Sequence, residues 1–271
     1  MNEFKETIEV ALPSESRLEW TDKAKDYMSY VLKNAWAIQN IRVPDQVEEL
    51  CLAAVSQNGI TLKGIAPRNR TKRICLAAVK QNGLALEFVP PWKRTGGICL
   101  EAVTQHGGSL MFVPPVERTK ALCLIAVGTD GWTLGNVPYK LRTYKICRAA
   151  VKNNGLALFY VPEKKRSRDL CLDAVIQDGE ALADTPKGLR DKDICWAAVR
   201  QKGMALHDVP DKFQTRGLCL VAVKQEGMAL SKVPKDMRDK GICLAAVREN
   251  EAAICKVPEE FISYVKGELK G

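Results

Sequence analysis

Cysteine recurs in this chain every 24 residues. Cys51, Cys75, Cys99, Cys123, Cys147, Cys171, Cys195, Cys219 and Cys243 share one lattice, and only Cys255 lies off it. A fixed period in the range of about 20–50 residues marks a repeat architecture, because a unit that small cannot bury its apolar face alone and must stack on its neighbours. Counting back from Cys51 places a divergent copy at Tyr27–Pro44, so about ten units fit between Tyr27 and Lys266. The period predicts an all-α fold, an α-solenoid built as a superhelical stack of about ten 24-residue helical hairpins.

With each lattice cysteine as position 0, three positions punctuate the unit. Position 20 is Thr71, Thr95, Thr119, Thr143, Ser167, Asp191, Thr215 or Asp239, residues that cap helix N-termini with a side-chain oxygen. Position 8 is glycine from Gly59 to Gly227 in eight units, and position 15 is usually proline, as at Pro90 and Pro162. Glycine past a helix end reads as a left-handed C′ residue, and proline stops the next element. The spacing therefore predicts helix A from position 20 to about position 7, roughly eleven residues, then a shorter helix B over positions 9–14 and a returning loop at 15–19.

On a helical wheel, positions −1, 3, 0, 4 and 1 span an apolar arc of about 200° with cysteine in its middle. Position 3 is alanine from Ala54 to Ala246, which suits close helix approach. The lattice cysteines read as buried structural thiols, because free cysteine behaves as a small hydrophobe. Zinc sites need clustered ligands, and there is no CxxC. Stacked helices about 8–10 Å apart put successive thiols too far from one another for disulfides. Thiols of that kind imply a reducing compartment. Cys255, on helix B, is the cysteine to test for reactivity.

The ends differ from the middle. Residues 1–26 read as an N-terminal helical cap, with helix expected over 14–34; residues 27–258 carry the repeats, and 259–271 read as a C-terminal capping helix with Phe261, Val265 and Leu269 on one face. The longest apolar run is seven residues, Ala121–Val127, so no transmembrane segment is expected. Glu3, Glu6 and Glu9 argue against a secretory signal.

Chemistry-bearing constellations are sparse. His106 and His207, the chain's two histidines, lie four repeats apart with no nucleophile recurring beside either. There is no phosphate-cradling loop and no dinucleotide fingerprint. We expect no enzyme activity, no catalytic residues, no metal site and no cofactor.

Two surfaces are the candidates for function. An arginine ladder occupies position 19 at Arg70, Arg94, Arg118, Arg142 and Arg166, and continues to Arg190 and Arg238 with Gln214 between them. It either bonds carbonyls within the fold or presents a row of donors to anions. Charge favours keeping both readings: residues 51–170 hold 19 basic and 6 acidic side chains, whereas 1–50 hold 6 and 10, and 171–271 hold 16 of each. The basic stretch could meet nucleic acid, anionic lipid or an acidic protein. The second surface is the variable pair at positions 12 and 13 of helix B. Phe88, Met111, Phe112, Phe159 and Tyr160, with Trp92 and Trp132 nearby, read as a partner-binding apolar patch. Gly135-Asn136 interrupts it as a groove or a break. The glutamine row at position 6, such as Gln81, Gln177, Gln201 and Gln225, is expected to bond backbone between layers.

The units CLAAVKQNGLALEFVP (75–90), CRAAVKNNGLALFYVP (147–162) and CWAAVRQKGMALHDVP (195–210) resemble a bacterial repeat family known only as a domain of unknown function. The resemblance covers roughly residues 51–258; Tyr27–Pro44 departs from it, and so does the last unit, where Glu251 replaces the glycine. Members look like secreted effectors of intracellular bacteria. The resemblance implies a chain that is cytoplasmic in the producing cell and is delivered into a host cytosol without a Sec signal peptide. The expected function is a monomeric, non-enzymatic scaffold for a partner protein, a host protein on this resemblance. The alternative is nucleic-acid or anionic-phospholipid binding through the basic edge of residues 51–170.

Overall fold

The computed structural model describes residues 22–269. The expectation of helix at 14–21 and most of the 1–26 cap lie outside the described residues. Within them the fold is an all-α helical repeat array with no strand. It divides into two compact units, one ending at Arg94 and the other starting at Thr95. The first holds α1 (Asp22–Lys33), α2 (Glu48–Gln57) and α3 (Lys72–Gln81). The second holds α4 (Gly96–Gln105), α5 (Lys120–Thr129), α6 (Tyr144–Asn153), α7 (Arg168–Gln177), α8 (Lys192–Gln201), α9 (Arg216–Gln225), α10 (Lys240–Glu249) and α11 (Glu259–Glu268).

The repeat at Cys147 shows how the sequence writes the unit. Thr143 Oγ1 accepts the Ile146 N–H at 3.4 Å and opens α6; the same cap bond is made by Thr71, Thr119, Ser167, Asp191, Thr215 and Asp239. The helix ends after ten residues, because Asn154 is extended at φ −147°. Asn154 then starts a second helix: its Oδ1 accepts the Leu156 N–H at 3.0 Å at the head of a 3-10 helix, Gly155–Tyr160. A further 3-10 turn, Glu163–Lys165, follows Pro162 and returns the chain to Ser167.

Four expectations need correction here. Helix A is one residue shorter than expected. Helix B is a 3-10 helix that begins on the glycine itself, and the returning loop contains a helical turn. The glycine at position 8 is not left-handed: no described glycine has a positive φ. Its requirement is space. A Cβ on Gly155 would run into the carbonyl oxygen of Ala174, on the next repeat's helix A, and the Asp178 N would lie 2.9 Å away. Gly131 meets Ala150, Gly179 meets Ala198 and Gly203 meets Ala222 in the same way. Position 7, which is Asn or Asp in most units, supplies the turn instead from an extended backbone.

The core confirms the cysteine assignment. All nine lattice cysteines are buried, together with positions −1, 3 and 4 of helix A and the leucine at position 11 of helix B, such as Leu86, Leu158 and Leu206. Each fully buried aliphatic side chain contributes about 1.5–3 kcal/mol. Burial pushes the Cys51 thiol up to about 12 and the Cys195 thiol up to about 11. Position 1 does not belong to the core: Leu124, Leu172, Trp196, Leu220 and Leu244 are half-buried and Leu100 is exposed. The apolar arc is thus narrower on that side than the wheel implied, because the neighbouring layer covers cysteine and alanine rather than leucine.

Tyr27–Pro44 does form a repeat, with 3-10 segments Ala35–Asn40 and Val43–Asp45 after α1. At the other end α11 starts at Glu259, directly after Pro258, so it replaces both the return turn and the next capped helix. Val265 is buried there, Phe261 half-buried and Leu269 exposed.

Candidate interaction surface

Much of the polar chemistry that recurs with the period is spent on the fold. The glutamine row clamps successive layers. Gln201 Oε1 accepts the Gly179 N–H at 2.7 Å, and its Nε2 donates to the Gln177 carbonyl at 3.3 Å. Gln81 does the same to Gly59 and Gln57, and Asn153 to Gly131 and Gly128. At Gly59, Gly131 and Gly179 these bonds satisfy the first N–H of the 3-10 helix, which has no partner inside it.

The arginine ladder is a second set of clamps. Arg142 donates from Nε to Val137 O at 2.9 Å, from Nη2 to Gly135 O at 3.1 Å and from Nη1 to Tyr160 O of the next repeat at 2.7 Å. Arg70, Arg118, Arg166, Arg190 and Arg238 repeat the three-carbonyl pattern, and Arg94 holds Val89 O and Glu87 O. A planar fork of donors is what this geometry needs. Gln214, which stands in the ladder, keeps one bond, to Val209 O. Two lysines act alongside: Lys93 Nζ donates to Arg70 O and Lys165 Nζ to Arg142 O. The predicted anion-binding residues Arg70, Arg94, Arg118, Arg142 and Arg166 therefore direct donors at backbone. In the C-terminal half the edge is paired, Arg168 with Asp191 and Asp193, and Arg216 with Asp239; Arg216 holds Asp239 below the usual carboxylate range.

What the framework leaves outward is the ridge at positions 12 and 13. A position-13 side chain lies over position 12 of the preceding repeat: the Tyr160 ring covers Gly135, and Lys63 Nζ sits 5.9 Å from the Phe88 ring centre. Gly135 is thus neither groove nor gap. It is the seat of Tyr160, which also meets Trp132 edge-on at 5.7 Å and Phe159 at 5.0 Å. Phe159 is 59 % exposed and Trp132 45 %. Met111 is exposed on the same ridge and Phe112 half-buried. In the first unit Phe88 is half-buried and Trp92, in the return turn, 75 % exposed. Further along, the ridge turns polar, with Asp184, His207 and Asp208. Burial raises the Asp184 carboxyl above its ordinary value. Cys255, the cysteine off the lattice, is exposed at position 12 of the last repeat.

His106 sits at position 7, where its Nδ1 accepts the Gly108 N–H as asparagine does elsewhere. Among the described residues, no group of three or more His, Cys, Asp or Glu side chains could hold a metal ion, and no helix is long and apolar enough to cross a membrane.

The sequence profile of a family described as a domain of unknown function (DUF4116) matches residues 167–214. That stretch is two repeats, from the Ser167 cap to Gln214, and it is similar to that family. No curated protein and no solved structure matches the chain.

Proposed function

We propose that this protein is a non-enzymatic repeat scaffold that binds a partner protein through the position 12–13 ridge. The observation that carries this reading is the Trp132–Phe159–Tyr160 cluster. Phe159 and Tyr160, on the variable positions, are fixed edge to face with each other and, through Tyr160, with Trp132 at position 9 of the preceding repeat, with Phe159 and Trp132 exposed. Rigid exposed aromatics bury much area on binding at low entropic cost. The resemblance of the repeats to those of effector-like bacterial proteins points to a partner in a host cell, reached by secretion.

Comparative capture from host-cell lysate tests the reading. The Trp132→Ala/Phe159→Ala double variant, checked for an unchanged melting temperature, should retain at least one specific protein about tenfold less well than the parent, the loss of a central aromatic anchor. An identical capture profile would overturn the proposal. Exposed Lys120, Lys140, Lys145 and Lys164 keep the anion alternative measurable. If duplex DNA binding fell with salt at a log–log slope near about −3.6, four phosphate contacts would be engaged and the aromatic ridge would not be the principal surface.

A further inference from the structure

Position 1 recurs as leucine or tryptophan along helix A, yet the core does not need it. Leu172, Trp196, Leu220 and Leu244 stay half-buried, and Ile176 beside them is 60 % exposed. A residue that repeats with the fold and is not consumed by it marks a second face, made of different positions from the aromatic ridge. On this face α9 and α10 bound an open groove of about 420 Å³. Leu220, Leu244 and Ala245 form its apolar part.

The charges of the groove are set along the helix axes. Arg216 and Gly241 lie in the first turns of α9 and α10, Leu220 and Leu244 in the middle, and Lys224 and Arg248 in the last turns. Eight residues of helix span about 12 Å, so cations flank the apolar part from one turn away at either end. Asp239 neutralises Arg216, and Glu249 is the carboxylate of the lining, which leaves Lys224 and Arg248 as the dominant charges. Trp196 extends the apolar face toward this site, with its ring edge 3.8 Å from where a Gly217 Cβ would stand, and Arg200 lies over the same ring at 5.4 Å.

The geometry points to a docking site for an acidic amphipathic helix of a partner protein, laid along the groove between α9 and α10. A third helix packs into the groove between two others by inserting a row of apolar side chains. The apolar row would meet Leu220 and Leu244, and carboxylates about one turn away would meet Lys224 and Arg248. The charge pattern selects an acidic rather than a basic segment.

The probe is a fluorescein-labelled, stapled helical peptide of about 16 residues, roughly 24 Å long, with leucines on one face and glutamates on both flanks. Binding is read by anisotropy at low salt with the full chain. Saturable binding is expected, weakened at least about tenfold by Leu244→Gln and by the Lys224→Glu/Arg248→Glu pair, and unchanged by Phe159→Ala. The charge-reversal pair reports on the site even if Leu244→Gln fails to fold. The proposal is overturned by absence of saturable binding, by equal binding of a peptide with lysines in place of the glutamates, or by indifference to the charge-reversal pair. It is also overturned if phosphatidylserine vesicles, not the peptide, bind in a Leu244-dependent way. Persistence of peptide binding in the Phe159→Ala variant separates this face from the aromatic ridge.

Discussion

Cys243 and Cys255 lie twelve residues apart in one repeat and differ in almost everything but their atoms. Cys243 is fully buried at position 0, and burial pushes its thiol up. Cys255 is exposed at position 12. The same contrast separates Gly155 from Phe159 within a single six-residue 3-10 helix. Its first residue is pressed against the next layer, whereas its fifth faces outward. Position in the unit, not residue type, decides whether a side chain serves the fold or is left for other work.

The largest effect that tests this division is on the thiols. In the native chain a thiol reagent should modify Cys255 at least about a thousandfold faster than the lattice cysteines, which react only after local opening costing about 4 kcal/mol. Rapid modification of several thiols would break the comparison. A buried thiol raised above its usual value near 9 holds its proton more tightly folded than unfolded. The stability it supports is therefore complete below pH 9 and is lost as pH rises toward the folded value, by up to about 1.4 kcal/mol per pH unit per thiol. The melting temperature should fall steeply above pH 9, and a flat profile to pH 10.5 would contradict the burial.

Next in size is Gly155→Ala, expected to cost about 3 kcal/mol in chemical denaturation because the new methyl overlaps the Ala174 carbonyl. Gly128→Ala is its control. Nothing lies within 4 Å of that added methyl, so it should stabilise by about 0.5–1 kcal/mol. Equal effects at the two sites would return the position-8 glycine to a purely conformational role. The last repeat already points to the rule, since Glu251 stands at position 8 there and α11 enters out of register with the array after it.

Arg142→Lys should cost about 2 kcal/mol, because an ammonium cannot reach three carbonyls in one plane. Gln214→Arg should add about 1 kcal/mol by restoring bonds the ladder lacks there. If lysine proved as good as arginine, charge rather than the fork would explain the row. The smallest effect belongs to the ridge: Phe159→Ala should change stability by about 0.5 kcal/mol or less. A large loss would make the ridge part of the framework.

Much of this is legible in the residues alone. The 24-residue lattice, the caps at position 20, the buried cysteines and alanines and the interlayer glutamines all follow from periodicity and side-chain chemistry. The arginines are ambiguous at that level, because a row of donors serves carbonyls or phosphates equally well until the acceptors are placed. Tyr160 over Gly135 is invisible there for a related reason. Positions 13 and 12 of successive repeats are 25 residues apart, and nothing local in the chain says that they touch.

The sequence by itself determined the unit, its length, its stops and the residues it buries, because those depend on local hydrogen bonding and on hydrophobic period. Only the tertiary structure decided how one layer meets the next. That contact made the glycine a matter of clearance rather than handedness, consumed the arginine forks on carbonyls, and left the position-1 leucines outside the core. Each of these depends on atoms from two repeats at once, and the spacing within one repeat carries no information about that approach.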